Sequence, residues 1–208
     1  GVNFFDTAIA YQSGTSEQYV GRALRDFARR DEVVVATKFL PRTNEEIEAG
    51  ISGQEHIRRS LDKSLQNLGM DYVDLYIYHM WDHQTPLYDI MEGLNNAVKA
   101  GKTRYIGISN CFAWQLAKAN ALAEKEGFAK FVSVQGHYNL IFREEEREMA
   151  PFCREENIAT GKEELEREFK RNLINVPENE LEDFVLNLAK RQHINTLEDF
   201  YAAIGYGG

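Results

Sequence analysis

The stretch GQEHIRRSLDKSLQNLGMDYVDLYIYH, residues 53–79, joins a helical pattern to a short apolar strand pattern that ends at His79. Its first part repeats apolar side chains at helical spacing, and residues 72–79 are rich in Val, Ile and Tyr. The same unit of strand and helix recurs about every 30 residues along the chain. Repeating units of this kind predict an α/β protein built on a parallel sheet.

The predicted strands are short and mostly apolar on both faces, which is typical of a buried parallel sheet. They are Asn3–Thr7, Glu32–Lys38, Tyr72–His79, Arg104–Ser109 and Phe131–Gln135. The predicted helices are Ser16–Arg30, Gly53–Leu68, Leu87–Ala100 and Ala113–Glu126. Ser16 is expected to cap the first helix, and Gly101 and Gly127 are expected to end the last two.

Polar side chains lie at the carboxyl ends of these consecutive strands. They are Asp6, Lys38, His79, Ser109, Asn110 and Gln135. In a closed (β/α) barrel those ends converge on one mouth, where active sites form, whereas in an open doubly wound sheet they fan apart. No GxGxxG turn follows the first strand, which also speaks against a dinucleotide-binding open sheet. The pattern therefore favours the barrel.

Four side chains at or beside those strand ends are suited to proton transfer. They are Asp6, Tyr11, Lys38 and His79. A free tyrosine is a weak acid at neutral pH, and a nearby ammonium stabilises its phenolate. Lys38 could supply that charge with Asp6 as its ion-pair partner, and a neutral His79 could orient a carbonyl group. We therefore predict that Tyr11 protonates a carbonyl oxygen while a hydride reaches the carbon.

The hydride must come from a cofactor, because no side chain donates one. The side chains suited to a nicotinamide are the hydroxyl and amide groups of Ser109, Asn110 and Gln135, with the ring of Tyr138 for stacking.

A metal site is not predicted. His79 and His83 have the H-x3-H spacing of some zinc ligands, but they straddle a strand end and lack a third ligand nearby. Trp81 and Phe112 could either line a substrate pocket or pack in the core.

Composition limits the range of partners and locations for this chain of 208 residues. Its net charge of -9 argues against nucleic acid, because nothing offsets phosphate repulsion. No apolar run approaches the ~20 residues that span a bilayer, so no membrane partner is expected.

Cys111 and Cys153 are far apart, which favours a reducing cytoplasm over a disulfide framework. The chain opens at Gly1 directly into a strand, without a signal peptide, and we interpret it as a fragment whose start is missing.

These residues and their surroundings resemble the aldo-keto reductases. The matching motifs are FDTAIAY (residues 5–11), GRAL (21–24), ATK (36–38), SLDKSLQNLGMDYVDLYIYH (60–79), GKTRYIGISN (101–110) and SVQGHYNL (133–140). The resemblance implies an NADPH-dependent carbonyl reductase on a (β/α)8 barrel, acting on a small carbonyl substrate. It assigns Asp6, Tyr11, Lys38 and His79 to the catalytic tetrad, and Ser109, Asn110, Gln135 and Tyr138 to the nicotinamide contacts.

The resemblance covers residues 1–159, which we predict to form a partial (β/α)8 TIM barrel domain with strands two to six and the start of strand seven near Asn157–Ala159. The first strand, the rest of the seventh and the eighth are expected to be missing, together with most contacts to the adenosine 2′-phosphate. Such a chain is expected to bind NADPH weakly or not at all. Its open sheet edges are expected to favour self-association.

Residues 160–208 are predicted to form a separate helical tail. A capping box at Thr160 and Glu163 begins the first helix, Pro177 can open a second, and Thr196–Ile204 forms a third. REENIATGKEELEREFKRN (154–172) and TLEDFYAAIGYG (196–207) resemble the helical segment after the TGS domain in bifunctional (p)ppGpp synthetase/hydrolase proteins. The phrase REENIA suits both families, which indicates a chimeric join.

Two functions from different classes follow from these patterns. One is an NADPH-dependent aldo-keto reductase, which truncation could inactivate. The other is a non-catalytic chimeric or interaction fragment without cofactor binding, and a regulatory role like that of potassium-channel β subunits is a third option. Cofactor binding separates the first from the second.

Overall fold

The computed structural model describes residues 2–139 and 142–160. In this part of the chain the strands are β1 (Phe4–Asp6), β2 (Val34–Phe39), β3 (Val73–Tyr78), β4 (Thr103–Ser109), β5 (Phe131–Gln135) and β6 (Ala159–Thr160). The helices are α1 (Thr15–Phe27), α2 (Asn44–Glu48), α3 (Gly53–Leu68), α4 (Leu87–Lys99), α5 (Ala113–Glu126) and α6 (Met149–Glu155). Short 3-10 segments span Tyr11–Gly14, Arg30–Glu32 and Glu144–Glu146.

The strands form one parallel sheet whose spatial order, β1 to β6, is the order of the sequence. A doubly wound sheet reverses its order at a switch point, whereas a barrel adds each strand beside the previous one. The sheet curls into a half-barrel, which confirms the predicted partial (β/α)8 barrel. In that barrel β1 to β6 stand as strands two to seven, and β6 is the start of strand seven that the sequence predicted.

Helices cover the outer face of the sheet, with α3 against β2, α4 against β4 and α5 against β5. In this core Phe39 stacks on Tyr76 and Tyr78, with ring centroids 4.7 and 4.9 Å apart. A Cβ at Gly21 would collide with the backbone carbonyl of Leu68, so α1 and α3 approach closely at a position where only glycine fits. The core therefore fixes the strands, and with them the side chains at their carboxyl ends.

A buried carboxylate, that of Asp74, joins the amino ends of three strands. Its Oδ2 accepts a hydrogen bond of 2.9 Å from the backbone N–H of Val35 and lies 2.7 Å from Nη2 of Arg30. Its Oδ1 lies 3.1 Å from Nη1 of Arg104. Both guanidinium groups also lie over the ring of Tyr72, at 4.1 and 4.7 Å from its centroid. This cluster is at the amino ends of the strands, opposite the predicted site. Barrel residues at the amino ends usually serve stability.

The prediction that Ser16 caps the first helix is wrong. Helix α1 begins at Thr15, and its N-cap is Gly14, whose φ of 86° lies in the left-handed region that favours glycine. The hydroxyl of Ser16 lies 2.8 Å from that of Thr7 at the end of β1, so it joins strand and helix instead. The predicted left-handed residues after α4 and α5 are confirmed, since Gly101 and Gly127 have φ of 70° and 68°.

The described residues fall into two compact units. One contains residues 2–137 and 145–160 and holds the whole sheet, and the other contains residues 138–139 and 142–144. Within the described ranges no helix is long and apolar enough to cross a bilayer. The three helices predicted beyond Ala159 lie outside the described residues.

Candidate active site

Lys38 is the centre of the predicted site. It occupies the carboxyl end of β2, only 2% of its surface is exposed, and its ammonium is held by three acceptors. Nζ donates to Asp6 Oδ2 at 2.7 Å, to the carbonyl oxygen of Thr7 at 3.1 Å and to the phenol oxygen of Tyr11 at 3.3 Å. A buried ammonium requires such partners, because an unpaired charge is costly away from water. The geometry therefore places a paired cation directly beside a phenol.

Tyr11 lies in the 3-10 segment that follows β1. The turn begins with a hydrogen bond of 3.1 Å from the N–H of Tyr11 to the carbonyl of Ala8. Gln12 and Ser13 then adopt left-handed φ values of 47° and 55°, which residues other than glycine rarely adopt. Tyr11 stays 41% exposed while its ring centroid is 5.0 Å from Lys38 Nζ. The phenol thus faces the ammonium and remains accessible from outside.

His79 follows β3, and its backbone N–H donates to the carbonyl of Phe39 at 2.9 Å. Its ring meets that of Tyr11 edge to face, with centroids 5.8 Å apart. Among residues 2–139 and 142–160, no partner lies within hydrogen-bond distance of its buried Nδ1. Burial lowers the pKa of His79, the Lys38 ammonium lowers it further, and the Asp6 carboxylate opposes them. The imidazole is therefore neutral at neutral pH and can donate one hydrogen bond.

The lowered pKa of His79 has a consequence for stability. The folded protein binds a proton at this imidazole less readily than the unfolded chain, whose ordinary value is 6.5. The free energy of unfolding is therefore expected to decrease as the pH falls below 6.5 toward the lowered pKa of His79 in the folded protein. Urea unfolding midpoints at about pH 7.5 and 5.5 measure this loss, and His79→Gln should show a smaller one. Equal losses in both proteins would contradict the assignment.

The three strand-end residues predicted to contact a nicotinamide form one hydrogen-bonded chain. Ser109 Oγ donates to the carbonyl of Gln135 at 2.8 Å. Asn110, whose φ is 49°, donates from Nδ2 to the carbonyl of His79 at 2.9 Å and to Ser109 Oγ at 3.0 Å. Because both amide hydrogens of Asn110 are used, its Oδ1 is the atom that it can present to a ligand.

Gln135, at the end of β5, lies close to Asp6 at the end of β1. Its Nε2 lies 3.5 Å from Asp6 Oδ2, although β5 and β1 are separated by three strands in the sheet. The curl of the sheet therefore brings Gln135, one of the predicted cofactor residues, to the strand ends where Asp6 and Lys38 lie. Tyr138 belongs to the second compact unit, where the Arg143 guanidinium lies 5.3 Å from its ring centroid.

Aromatic side chains follow the same strand ends. The N–H of Trp81 donates to the carbonyl of Asn110 at 3.3 Å, and its ring is 6.2 Å from that of Trp114. Phe112 is 68% exposed, so it does not pack in the core of the described residues. No group of three or more potential metal-ligating side chains occurs within residues 2–139 and 142–160.

Sequence reasoning missed Glu17, which is fully buried in the first turn of α1. Its carboxylate accepts hydrogen bonds from Thr37 Oγ1 at 2.6 Å and Asn67 Nδ2 at 2.8 Å. An acidic residue in a first helical turn normally interacts with the helix dipole at the surface. One feature of the sequence could have indicated a polar partner there. Thr37 directly precedes Lys38 in β2, so the two side chains lie on opposite faces of the sheet, and the Thr37 hydroxyl needs a partner away from the Lys38 site.

Comparison with known proteins identifies the family of this chain. The aldo/keto reductase family model matches residues 1–161, and the chain belongs to that family. A model of the RelA/SpoT AH domain matches residues 153–208, so the two matches share residues 153–161. This overlap contains the phrase REENIA, which resembled both families in the sequence.

Named relatives and solved structures resemble the first part of the chain. An aryl-alcohol dehydrogenase of Pestalotiopsis microspora is 40% identical over 76% of this chain and 43% of its own length. Norsolorinic acid reductase B of Dothistroma septosporum is 37% identical over 76% of this chain and 42% of its own. An aldo/keto reductase of Klebsiella pneumoniae solved with NADP and acetate has a TM-score of 0.65 and 29% identity, over 77% of this chain and 52% of its own. The chain spans about half the length of the proteins it matches.

Proposed function

We propose that this chain carries the site of an NADPH-dependent carbonyl reductase, with Asp6, Tyr11, Lys38 and His79 as its catalytic residues. The observation that carries the proposal is the position of Lys38 Nζ, 2.7 Å from Asp6 Oδ2 and 3.3 Å from the phenol oxygen of Tyr11. A structural ion pair needs only the carboxylate. Placing the phenol beside the same ammonium gives a proton donor whose conjugate base is stabilised.

The side chains have distinct roles in the proposed reaction. Tyr11 donates its hydroxyl proton to the substrate oxygen, and the resulting phenolate is stabilised by Lys38. Asp6 holds the ammonium in place, and neutral His79 donates a hydrogen bond that orients the carbonyl. The proton ends on the oxygen while the hydride ends on the carbon, so the product is an alcohol. NADPH, when bound, supplies that hydride.

The described residues fit the nicotinamide end of such a cofactor. Gln135 brings an amide to within 3.5 Å of Asp6, and Asn110 can present Oδ1 at the same mouth. Ser109 and Asn110 are already fixed by hydrogen bonds to neighbouring strand ends, so they need little reorganisation. Solved relatives in complex with NADP or NADPH support the same cofactor here.

NADPH is expected to bind this chain weakly or not at all. The polar groups at the described strand ends can contact the nicotinamide, which is a small part of the cofactor. Binding energy that the adenosine and its 2′-phosphate would contribute is not replaced by contacts at the other end. Titration of the chain with NADPH, followed by cofactor fluorescence, should give a dissociation constant well above the micromolar range. A low-micromolar value would contradict this expectation.

A second candidate is a non-catalytic chimeric or interaction fragment that binds no cofactor. The match of residues 153–208 to the RelA/SpoT AH model favours it, because residues 162–208 lie outside the aldo/keto reductase match. The two candidates differ in a carbonyl-reduction assay at millimolar NADPH, which compensates for weak binding. Slow alcohol formation supports the reductase, and its absence supports the interaction fragment.

Two further expectations concern the surroundings of the chain. Both cysteines, Cys111 and Cys153, are free thiols, which supports a cytoplasmic location. Within the described residues β1 and β6 each pair on one side only, which supports self-association through these edges. Sedimentation of the purified chain above its monomer mass would support the second expectation, and a strictly monomeric chain would refute it.

A further inference from the structure

A buried polar cluster lies directly behind the turn that carries Tyr11. It consists of Glu17 in α1, Thr37 in β2 and Asn67 in α3, joined by the two hydrogen bonds to the Glu17 carboxylate. Glu17 has 0% of its surface exposed, and no lysine or arginine of the described residues forms an ion pair with it. A buried carboxyl group with only neutral partners is costly, and an apolar side chain would pack there at less cost.

The cluster contacts the Tyr11 turn through Asn67. A Cβ on Gly14 would lie 2.6 Å from Asn67 Nδ2, so the end of the turn packs against the same amide that donates to Glu17. The turn also holds Gln12 and Ser13 in left-handed conformations. Residues other than glycine persist in this conformation only where the surrounding contacts determine the backbone.

The cluster contacts the Lys38 side of the site through Thr37. Thr37 and Lys38 are adjacent in β2, so the hydrogen bond to Glu17 fixes the backbone from which the ammonium extends. Ser16, the residue before Glu17, lies 2.8 Å from the Thr7 hydroxyl, and the Thr7 carbonyl accepts from Lys38 Nζ. One side chain therefore joins the helix after the turn to the strand that bears the ammonium.

We propose that Glu17, together with Asn67 and Thr37, is a positioning residue that holds the Tyr11 phenol against the Lys38 ammonium. None of the three is among the hydrogen-bond partners of the Lys38 ammonium, which are Asp6, Thr7 and Tyr11. The proposal rests on the proposed function for its catalytic meaning, but the distance between the two groups can be tested without turnover.

The central variant is Glu17→Met, which keeps a side chain of similar length but removes both acceptor oxygens. The hydrogen bonds from Thr37 Oγ1 and Asn67 Nδ2 are then lost. The readout is the 13C resonance of the Tyr11 ring, assigned by its loss in Tyr11→Phe. Lys38→Met gives the position of that resonance without the ammonium. In Glu17→Met the resonance is expected to move toward the Lys38→Met position.

The conservative variant Glu17→Gln tests the hydrogen bonds themselves. Its amide oxygen can accept from Asn67 Nδ2 and its amide nitrogen can donate to Thr37 Oγ1, since a hydroxyl both donates and accepts, so the Tyr11 resonance should stay near its original position. Glu48→Met, which changes an exposed glutamate on α2, is the matched control and should leave the resonance unmoved. If Glu17→Met fails to fold, Asn67→Ala takes its place with the same expected shift.

The outcomes separate positioning from simple stabilisation. An unmoved Tyr11 resonance in folded Glu17→Met would overturn the proposal. So would an equal shift in Glu17→Gln, or a general shift of the other tyrosine resonances, such as that of Tyr105 on β4. Where turnover is measurable, kcat should fall by about tenfold or more with KM unchanged. A chain without turnover still gives the resonance result, so failure of the proposed function is recognised separately.

Discussion

Replacing Tyr11 with phenylalanine is expected to abolish carbonyl reduction by this chain, lowering kcat by at least about 100-fold at millimolar NADPH. The change removes only the phenol oxygen, which lies 3.3 Å from Lys38 Nζ. The aromatic ring keeps its edge-to-face contact with His79, whose centroid is 5.8 Å away. The loss should therefore fall on proton transfer, and the rate of NADPH consumption with a small aldehyde measures it.

Tyr19→Phe is the matched control for this experiment. Tyr19 lies on α1, is 61% exposed and has the Arg22 guanidinium over its ring, so its hydroxyl is remote from the predicted chemistry. Its removal should leave kcat unchanged. A Tyr11→Phe protein that keeps more than about a tenth of the original rate would show that another group donates the proton.

Replacing Asp74 with asparagine is expected to cost about 3 kcal/mol of unfolding free energy. The side chain of Asp74 is 8% exposed, and Arg30 lies 2.7 Å from its Oδ2. Removing the negative charge leaves the largely buried Arg30 guanidinium without its counterion. Asparagine also places an amide donor where a carboxylate oxygen accepted from Val35 N–H or from arginine.

Urea unfolding measures this effect, with an unchanged denaturant slope indicating that the folded state is otherwise intact. Asp71→Asn is the control, because Asp71 is exposed and lies three residues earlier at the same end of the sheet. A loss below about 1 kcal/mol in Asp74→Asn would show that the cluster at the amino ends of the strands contributes little. Such a result would also show that the contact between Asp74 and the exposed Arg104 side chain contributes little to stability.

The fold of the barrel part could be predicted because its helices and strands follow from patterns within short stretches of the sequence. The helix α3 begins at Gly53 and ends at Leu68 as its apolar spacing predicts, since Gly69 follows in a left-handed conformation. The strand β5 likewise has its predicted bounds, Phe131–Gln135. Helix α1 ends three residues before the predicted Arg30, because Ala28 is already extended, and the Arg30 side chain pairs with Asp74, a residue of a different strand. That partner is invisible in a local pattern.

The sequence predicted that polar residues meet at the strand ends, but it did not predict how they are connected. Asp6, Lys38 and His79 were found because polar residues end apolar strands, and the sheet brings these ends together. The burial of Glu17 depends on Thr37 and Asn67, which belong to two other elements, so no spacing rule reveals it. The amide of Asn110, predicted as a ligand contact, is largely committed to His79 and Ser109 by tertiary geometry.

The pairing of Lys38 with both Asp6 and Tyr11 is the observation on which the proposed carbonyl reduction rests. The most direct test incubates the purified chain with a small aldehyde and millimolar NADPH carrying deuterium at both C4 positions, followed by mass spectrometry of the product. We expect a singly deuterated alcohol from the original chain and none from Tyr11→Phe. The absence of label in the product of the original chain, or equal label from Tyr11→Phe, would contradict the proposed chemistry.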